Sequence, residues 1–470
     1  MRDSMIDVAV IGGGPAGLAA AATCAEAGLT TYLIDEQASP GGQIYRAIAD
    51  TPVADRAILG ADYWRGEALV AAFQRSGAVH LASALAWDVT PDLEVAVSVG
   101  GGSRFLRARR VIIASGALER PMPVPGWTLP GVMTVGAGQI LLKSSGAVPS
   151  GRVVLAGCGP LLYLLAAQYR RAGAEVALIL DTTPAANFKR ALRHLPEFLL
   201  AGSYLAKGAE LLLSAQRSVE IVRGVDSIVA AGEGQLRSVR YNVRGQEREV
   251  SADLLLLHQG VVPNVNLSMA IGCAHDWDGE QLCWSPRLDA WSNATVGGVA
   301  IAGDGAGIGG AAAAAERGRI AALDAARHLG VLSEAQRDLR AAGPRAALRR
   351  AMRGRRFLDL LYAPAPSFRV PADNAVACRC EEVVARQIRD CVALGVPGPN
   401  QMKSFLRCGM GPCQGRLCGL TVTETIAAAR GVAPGMVGHY RIRPPIKPIT
   451  LGEIALLPKS EAAIKAVARG

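Results

Sequence analysis

The chain has 470 residues, half of them hydrophobic and only 5% aromatic, which is enough for about two to four domains with apolar cores. The formal net charge is +10, but the densest basic run (Arg345 to Arg356) has no interleaved aromatic residues, so we expect a solvated basic surface and no nucleic-acid partner. The apolar run after Arg2 is broken at Gly12, and no apolar stretch reaches the roughly 18–20 residues of a membrane helix. We therefore expect a soluble, cytoplasmic protein with no membrane span.

The first predicted element is a nucleotide-binding unit. A short apolar strand (Ile6 to Ile11) leads into Gly12, Gly14 and Gly17, and an Ala-rich helix and a second strand follow, ending at Asp35. The first glycine permits a tight turn, the second lets the backbone approach a pyrophosphate, and the third lets the helix pack closely on the strand. The helix N-terminus offers free N–H groups to the phosphates. The ordered pattern predicts a dinucleotide site whose terminal acid binds ribose hydroxyls.

Three further motifs favour FAD over NAD. "SPGGQIYR" (Ser39 to Arg46), "VIIASGALERPMPVPG" (Val111 to Gly126) and "GGVAIAGDGAG" (Gly297 to Gly307) resemble segments of two-dinucleotide-domain flavoproteins such as thioredoxin reductase. The resemblance implies that Asp304 binds the ribityl chain and that the helix predicted over Gly309 to Ala322 points its N-terminus at the flavin. The expected FAD-binding residues are Gly12, Gly14, Pro15, Ala16, Gly17, Asp35, Glu36, Gly42, Gln43, Ala114, Ser115, Gly116, Gly303 and Asp304.

A second strand–turn–helix–strand unit lies between Gly151 and Asp181, as an internal repeat of the first. In the resembled reductases this domain holds NAD(P)H. Here Leu162 occupies the third glycine position, where a side chain would push the helix away or crowd a pyrophosphate. We therefore expect a retained fold with a weakened or repurposed site, so that NAD(P) binding is doubtful.

The sequence contains no constellation typical of substrate chemistry, and the catalytic residues are unknown at this stage. No cysteine pair of the disulfide-reductase type precedes Cys378. Four earlier cysteines are interpreted as packing residues, and the six histidines are scattered. Only His258, after a buried-looking strand, is a candidate to approach the flavin. The earlier cysteines are Cys24, Cys158, Cys273 and Cys283.

Cysteines are concentrated near the C-terminus, in "ACRCEEV" and "RCGMGPCQGRLCG". A C-x-C pair followed about thirty residues later by a close pair is an iron–sulfur pattern, and it resembles the bacterioferritin-associated-ferredoxin-like fold around a [2Fe–2S] cluster. A zinc site with four thiolates is the main alternative. Glycines in the second stretch (409, 411 and 415) would leave backbone N–H groups free to point at sulfurs. The expected ligands are Cys378, Cys380, Cys413 and Cys418, with Cys408 in reserve and Cys391 buried on a helix.

Together, "ERPMPVPGW", "LAGCGPLL" and "KSFLRCGMGPCQGRLCG" resemble the A (alpha) subunits of heteromeric FAD-dependent amino-acid and opine dehydrogenases, including relatives in opine oxidase, hydrogen cyanide synthase and sarcosine oxidase. The resemblance implies an electron-transfer subunit with FAD and [2Fe–2S], and FMN at a subunit interface is a further candidate cofactor. A second flavoprotein subunit would oxidise a C–N bond, a small ferredoxin-like subunit is a further candidate partner, and electrons would pass to a carrier or quinone. The alternatives are a stand-alone NAD(P)H-dependent reductase and a non-enzymatic redox sensor or scaffold.

The expected fold class is α/β, a Rossmann-like two-dinucleotide-domain flavoprotein with a small helical iron–sulfur domain. We expect FAD-binding parts at residues 1–125 and 251–330 around a central domain at 126–250. A linker (331–375), a [2Fe–2S] domain (376–430) and a C-terminal tail (431–470) follow.

Overall fold

The computed structural model describes residues 5–202, 208, 211, 213, 215 and 219–457. Its strands are β1 (Ile6–Ile11), β2 (Thr31–Ile34), β3 (Val79–Leu81), β4 (Leu85–Val89), β5 (Glu94–Val99), β6 (Gly102–Ile113), β7 (Ala117–Glu119), β8 (Val132–Thr134), β9 (Val153–Cys158), β10 (Val176–Asp181), β11 (Glu220–Arg223), β12 (Val225–Ala231), β13 (Ser238–Val243), β14 (Gln246–Ser251), β15 (Leu254–Gln259), β16 (Val261–Pro263), β17 (His275–Asp278), β18 (Cys283–Pro286), β19 (Val299–Ile301), β20 (Val376–Cys378) and β21 (Val383–Val384).

The α-helices of the described ranges are α1 (Pro15–Glu26), α2 (Arg56–Leu59), α3 (Ala61–Trp64), α4 (Gly66–Arg75), α5 (Val135–Ser145), α6 (Pro160–Arg171), α7 (Ala185–Ala191), α8 (Leu195–Leu199), α9 (Asn266–Ala270), α10 (Ala311–His328), α11 (Glu334–Met352), α12 (Arg355–Leu361), α13 (Pro366–Arg369), α14 (Ala385–Ala393), α15 (Pro399–Leu406), α16 (Gly419–Arg430), α17 (Pro434–Val437) and α18 (Leu451–Ala455).

The first sheet is built around β1, whose residues are almost all buried. One face packs against α1 in an apolar cluster that contains Val8 and Val10, and the other face shares a cluster with β4, β5 and the C-terminal region. The order is β3-β2-β1-β6, and β19 also pairs with β6. Strand β6 is twelve residues long, and it continues beyond the parallel part to pair antiparallel with β5, which pairs with β4. The carboxyl ends of β1, β6 and β19 therefore meet at one edge of the sheet, where the first glycine loop lies.

The central sheet repeats this design with five parallel strands in the order β11-β10-β9-β15-β8. A separate antiparallel sheet, β12-β13-β14, shares an apolar cluster with its other face. The ribbon β7–β16 carries the chain between the two units. Because β15 pairs with β9, the central sheet extends to Gln259, beyond the predicted boundary at residue 250.

The C-terminal cysteine region packs against the first unit rather than standing apart. One apolar cluster includes β5 and β6 side chains together with Cys378, Met402 and Ile426. The tail joins the same cluster through Tyr440 and Ile446. Residues 331–375, predicted as a linker, contain α11, α12 and α13, so most of this segment is helical.

The predicted α/β class with two dinucleotide-binding units and a small helical C-terminal region is confirmed. Among the described helices, none combines the length and the apolar character that crossing a bilayer requires.

Candidate FAD and cysteine sites

The first glycine loop is closed so tightly that two of its glycines have no room for a side chain. A Cβ on Gly12 (φ +109°) would lie 2.4 Å from the carbonyl oxygen of Ala114, and a Cβ on Gly17 would lie 1.8 Å from that of Gly12. Helix α1 follows with Pro15 in its first turn and with Gly14 as its N-cap, which has no side chain to bind the first N–H groups. The free N–H groups and the positive helix end suit a pyrophosphate.

The acid at the end of β2 carries an unused hydrogen-bond acceptor. Asp35 is buried; its Oδ1 accepts a hydrogen bond from the N–H of Gln37, and its Oδ2 has no partner in the described part of the chain. Burial raises the pKa of Asp35. A Cβ on Gly13 would lie 1.9 Å from that Oδ2, so only glycine keeps the space beside the carboxylate open. These features fit the ribose hydroxyls of a dinucleotide.

Glu36, the neighbouring residue predicted to bind cofactor, is paired with a residue of the C-terminal tail. It is exposed and forms an ion pair with Lys447 of the C-terminal tail. Burial lowers the pKa of Lys447, and Asp35 partly opposes this shift. The tail therefore places a cation beside the predicted ribose site, which the sequence pattern did not indicate.

The other predicted FAD motifs converge on the first glycine loop. A Cβ on Gly42 would lie 2.6 Å from the Cα of Gly14, and one on Gly303 would lie 2.7 Å from the Cβ of Ala16. Asp304 follows at once, and its Oδ1 accepts hydrogen bonds from the N–H groups of residues 309 and 310. The chain therefore brings Ser39 to Arg46, the loop at 114–116 and the second FAD motif to one edge of the first sheet. Individual FAD contacts remain a prediction.

Lys143 is a site residue that sequence reasoning missed. Its side chain is buried on α5, and its Nζ donates to the carbonyl oxygen of Ile44 at 2.9 Å and to Oε1 of Gln139 at 2.8 Å. Burial lowers its pKa to about 7. The sequence signal that could have identified Lys143 is a lysine that follows the apolar residues of "ILLKSS". The residue ties the predicted flavin loop to the central unit.

The second glycine loop has the same turn but satisfies its own polar groups. A Cβ on Gly157 would lie 1.6 Å from the carbonyl oxygen of His258, so that glycine is required by β15. Leu162 is fully buried in the core. The carboxylate of Asp181 accepts hydrogen bonds from the hydroxyl of Tyr163 at 2.8 Å and from the N–H of Thr183 at 2.9 Å.

The chain's own residues cover the mouth of this second loop. The thiol of Cys158 donates to the carbonyl oxygen of Tyr362 at 3.4 Å, and the amide of Asn187 donates to the carbonyl oxygens of Leu361 and Ala363. A cavity of about 260 Å³ remains beside them. It lies at the second glycine loop rather than at the first. Both loops lead into a helix without a side-chain cap, and the first differs in that its acid has an unpaired oxygen.

His258 lines that cavity and does not reach the first glycine loop through any hydrogen bond that the structure describes. Its Nδ1 is 2.5 Å from Oε1 of Glu119. The other carboxylate oxygen of Glu119, Oε2, accepts a hydrogen bond from the N–H of Gly136. The histidine therefore lies on β15 of the central sheet and contacts β7 of the ribbon between the two units.

The five C-terminal cysteines converge. Hydrogen bonds join the thiol of Cys378 to those of Cys408 and Cys418, and the thiol of Cys413 to those of Cys418 and Cys380. Donation from the neighbouring thiols lowers the pKa of Cys378 to about 2, and donation from Cys418 is also the main cause that lowers the pKa of Cys413, to about 5. The hydrogen bonds that Cys408 and Cys418 donate to Cys378 raise the pKa of both thiols in turn.

Glycines and an aromatic residue pack on the two cysteine stretches, 378–380 and 408–418, which we call the cysteine loop. The N–H of Gly409 bonds the sulfur of Cys378, and the N–H of Gly415 bonds that of Cys413. A Cβ on either glycine would lie 2.6–2.7 Å from the ring of Tyr440, whose hydroxyl is 3.9 Å from Sγ of Cys418. The tail residue Tyr440 was not predicted, because no local pattern links it to the loop.

The donor set of this loop suits iron and sulfide, since thiolates surrounded by N–H donors are typical of iron–sulfur proteins. As the side chains lie, no three His, Cys, Asp or Glu residues in the described ranges are arranged to hold one metal ion. A [2Fe–2S] cluster uses four thiolates for two irons. The residues present therefore fit such a cluster in chemistry, while the choice of four ligands from the five stays a prediction.

The four earlier cysteines are all buried, and two of them, Cys24 and Cys273, lie within the apolar clusters. Burial raises the pKa of Cys24, Cys158 and Cys283 to about 12 and that of Cys273 to about 11. Their thiolates are disfavoured at neutral pH, which fits a packing role.

A short segment connects the two sites. The hydroxyl of Ser115 donates to the carbonyl oxygen of Asn264 at 2.8 Å, and the side-chain amide of Asn266 donates to the carbonyl oxygen of Gln414 at 2.9 Å. Gln414 directly follows Cys413. The predicted FAD loop and the cysteine loop are therefore both anchored to residues 264–266.

Comparison with known proteins places this architecture. Residues 6–328 match the pyridine nucleotide-disulphide oxidoreductase family, and residues 377–456 match the sarcosine oxidase A3 domain. The A subunit of opine oxidase from Agrobacterium tumefaciens (strain Ach5) is 48% identical over 471 residues, covering 98% of this chain and 93% of that protein. The chain belongs to the family of opine oxidase A subunits.

The chain is thus an FAD-dependent oxidoreductase with the predicted flavoprotein fold. Hydrogen cyanide synthase subunit HcnB of Pseudomonas aeruginosa is 32% identical to this chain over 463 residues, covering 94% of this chain and 96% of that protein. The crystal structure of L-proline dehydrogenase from P. horikoshii superposes with a TM-score of 0.71 at 19% identity, covering 96% of this chain and 79% of that one, and shows the shared fold.

Proposed function

We propose that this chain is the FAD- and [2Fe–2S]-bearing electron-transfer subunit of a heteromeric dehydrogenase or oxidase that acts on the C–N bond of an opine-type amino acid or other secondary amine. Relatives named as the A subunit of opine oxidase and the alpha subunit of sarcosine oxidase support a heteromeric amine-oxidising assembly. The observation that carries the proposal is the attachment of the FAD loop and the cysteine loop to the same three residues, 264–266.

Each cofactor would be held by residues already described. The first glycine loop, Asp35 and Asp304 would bind FAD, which supplies two-electron chemistry when bound. Cys378, Cys380, Cys413 and Cys418 would hold a [2Fe–2S] cluster, which exchanges single electrons.

Buried ion pairs connect the cysteine region to the ribbon β7–β16. Arg120, just after β7, lies 3.6 Å from Glu424, which also pairs with Arg369; all three are mostly or fully buried. Glu424 stands on α16, the helix that begins directly after Cys418. Removing one partner of a buried ion pair lowers the free energy of unfolding by about 3–5 kcal/mol. These ion pairs therefore fix the cysteine region against the ribbon.

The partners of this chain complete the proposed reaction. A second flavoprotein subunit would carry the amine site. Further candidate components are a small ferredoxin-like subunit, and FMN at an interface between subunits. A carrier or quinone would take the electrons.

The test is to purify the full chain anaerobically, alone and with its candidate partner subunits, and to measure flavin, iron and acid-labile sulfide per chain. We expect one FAD and two irons, a reduced [2Fe–2S] EPR spectrum with dithionite, and amine oxidation only in the complex. Cys378→Ser with Cys380→Ser should remove the iron, and Cys408→Ser should retain it.

Three results would contradict the proposal. Zinc in place of iron would make the cysteine site structural. Rapid bleaching of the flavin by NADH would favour a stand-alone reductase. Amine oxidation by the isolated chain at the rate of the complex would show that no second subunit is needed for the chemistry.

A further inference from the structure

The sulfurs of the cysteine loop differ in their access to solvent. Cys378, Cys408 and Cys418 are almost completely buried, whereas Cys380 and Cys413 are partly exposed. The loop therefore has one face toward the protein core and one face toward solvent.

Six exposed or half-buried residues lie next to these cysteines in the sequence, and we call them the cysteine rim: Arg379, Arg407, Arg416, Phe405, Met410 and Leu417. The guanidinium group of Arg416 interacts electrostatically with Cys380 and Cys413. Arg379 is exposed next to Cys380, and Arg407, two-thirds exposed, pairs with Glu381. Glu381 and Glu382 are the acids next to Cys380 in the sequence, so three arginines against two acids leave a small excess of positive charge beside these two sulfurs.

The rim also exposes large apolar side chains to solvent. Phe405 is 52% exposed, Met410 45% and Leu417 40%. Each lies within five residues of a cysteine of the loop. Arginine, methionine and aromatic residues are the types enriched at protein interfaces, and mixed polar and apolar character is typical of transient ones.

We propose that the cysteine rim is the docking surface for an acidic one-electron carrier protein. The inference rests on the proposed function, which places a one-electron group directly beneath this face. Oxidation of a C–N bond to an imine releases two electrons and two protons; each docked carrier is reduced by one electron, so two encounters accept the pair. The guanidinium groups steer an acidic partner, and the small apolar contact allows rapid release.

A carrier fits this face better than a permanent subunit does. Permanent interfaces are large and hydrophobic, whereas weak redox encounters bury less than about 1,200 Å². The rim has three apolar residues among three arginines, which matches the smaller class.

The test uses the complete complex and a plant-type [2Fe–2S] ferredoxin as the acidic probe, with a basic c-type cytochrome for comparison. Binding is measured by calorimetry at low and at physiological ionic strength. Arg379→Glu with Arg407→Glu should weaken ferredoxin binding about tenfold or more, because like charges then face each other. Arg75→Glu, on the remote helix α4, is the matched control and should leave the affinity unchanged. The Arg379→Gln, Arg407→Gln pair provides a milder variant if charge reversal impairs folding.

Iron content and the EPR spectrum are measured on the same samples. Unchanged ferredoxin affinity in both rim variants, with wild-type iron and EPR, overturns the docking proposal alone. Loss of a subunit from the reversed variant on size-exclusion chromatography also overturns it, because the rim would then be an interface within the complex. A wild-type preparation without iron removes the proposed function and the carrier proposal with it.

Discussion

The chain contains two glycine loops that share one backbone design and differ in their unpaired polar groups. Helices α1 and α6 both begin at a glycine without a side-chain cap. In the first loop, Oδ2 of Asp35 is buried without a partner in the described residues. In the second, Asp181 accepts hydrogen bonds from Tyr163 and Thr183, and the chain's own carbonyl oxygens at 361–363 cover the loop.

The difference shows that one backbone design can be kept while the hydrogen bonding of its acid changes. Buried polar groups are nearly always hydrogen-bonded, so an unpaired carboxylate oxygen indicates a ligand that supplies the donor. Both acids accept a backbone N–H from two residues further on, so what distinguishes the second loop is the hydroxyl of Tyr163, which donates to Oδ2 of Asp181. Strand order and the close approach of Gly157 to His258 remain, because the sheet itself requires them.

The largest expected effect comes from giving the first loop the leucine of the second. In Gly17→Leu the new Cβ would start 1.8 Å from the carbonyl oxygen of Gly12, so the helix must move away from the turn. We expect purified protein without flavin, measured as the ratio of absorbance at flavin and protein wavelengths.

Leu162→Ala is the matched control in the second loop. It should cost about 2–5 kcal/mol of unfolding free energy, measured by urea titration, because it removes buried methyl groups. It should nevertheless retain FAD. Flavin retained by Gly17→Leu at the wild-type ratio would show that the two loops do not differ as described.

A smaller effect is expected from Asp35→Asn, which keeps the shape and removes the charge. Losing a charge-assisted hydrogen bond of about 1.5–3 kcal/mol should weaken FAD binding about 10- to 100-fold. Asp181→Asn should leave FAD affinity unchanged. Equal losses in the two variants would contradict the assignment of the first loop as the FAD site.

We also expect Asp35 to make the stability of the FAD-free protein depend on pH. Because burial raises the folded-state pKa of Asp35 above its ordinary 3.8, the folded chain binds more protons than the unfolded chain between those two values. Its contribution to stability therefore falls as the pH rises through that window. Thermal melts of wild type and Asp35→Asn across the acid range should diverge in this direction, and parallel curves would contradict it.

The sequence predicted what local patterns encode. The strand Ile6–Ile11, the glycines of both loops and the helix after Gly310 follow from periodicity and glycine spacing. The same reasoning identified the departure at Leu162. These features depend on residues close together in the chain, where backbone sterics and hydrophobic alternation decide the outcome.

Contacts between distant segments could not be predicted in this way. Tyr440 packs on the cysteine loop, Lys447 pairs with Glu36 more than 400 residues away, and Lys143 binds the loop at residue 44. Each requires the tertiary fold to bring the groups together. The helices within 331–375 were not predicted, because the Pro-rich stretch near the end of this segment led to the whole segment being interpreted as a linker.

The smallest expected effect is that of Tyr163→Phe, which would make the second loop resemble the first. The hydroxyl bond to Asp181 is lost and Oδ2 becomes unpaired, so unfolding should cost about 1–3 kcal/mol less. NADH should still fail to bleach the flavin, because the carbonyl oxygens of Leu361 and Tyr362 continue to cover the loop. Urea titration and anaerobic NADH titration measure the two effects. Flavin bleaching in this variant alone would mean that a single hydroxyl, rather than the covering segment, separates the two loops.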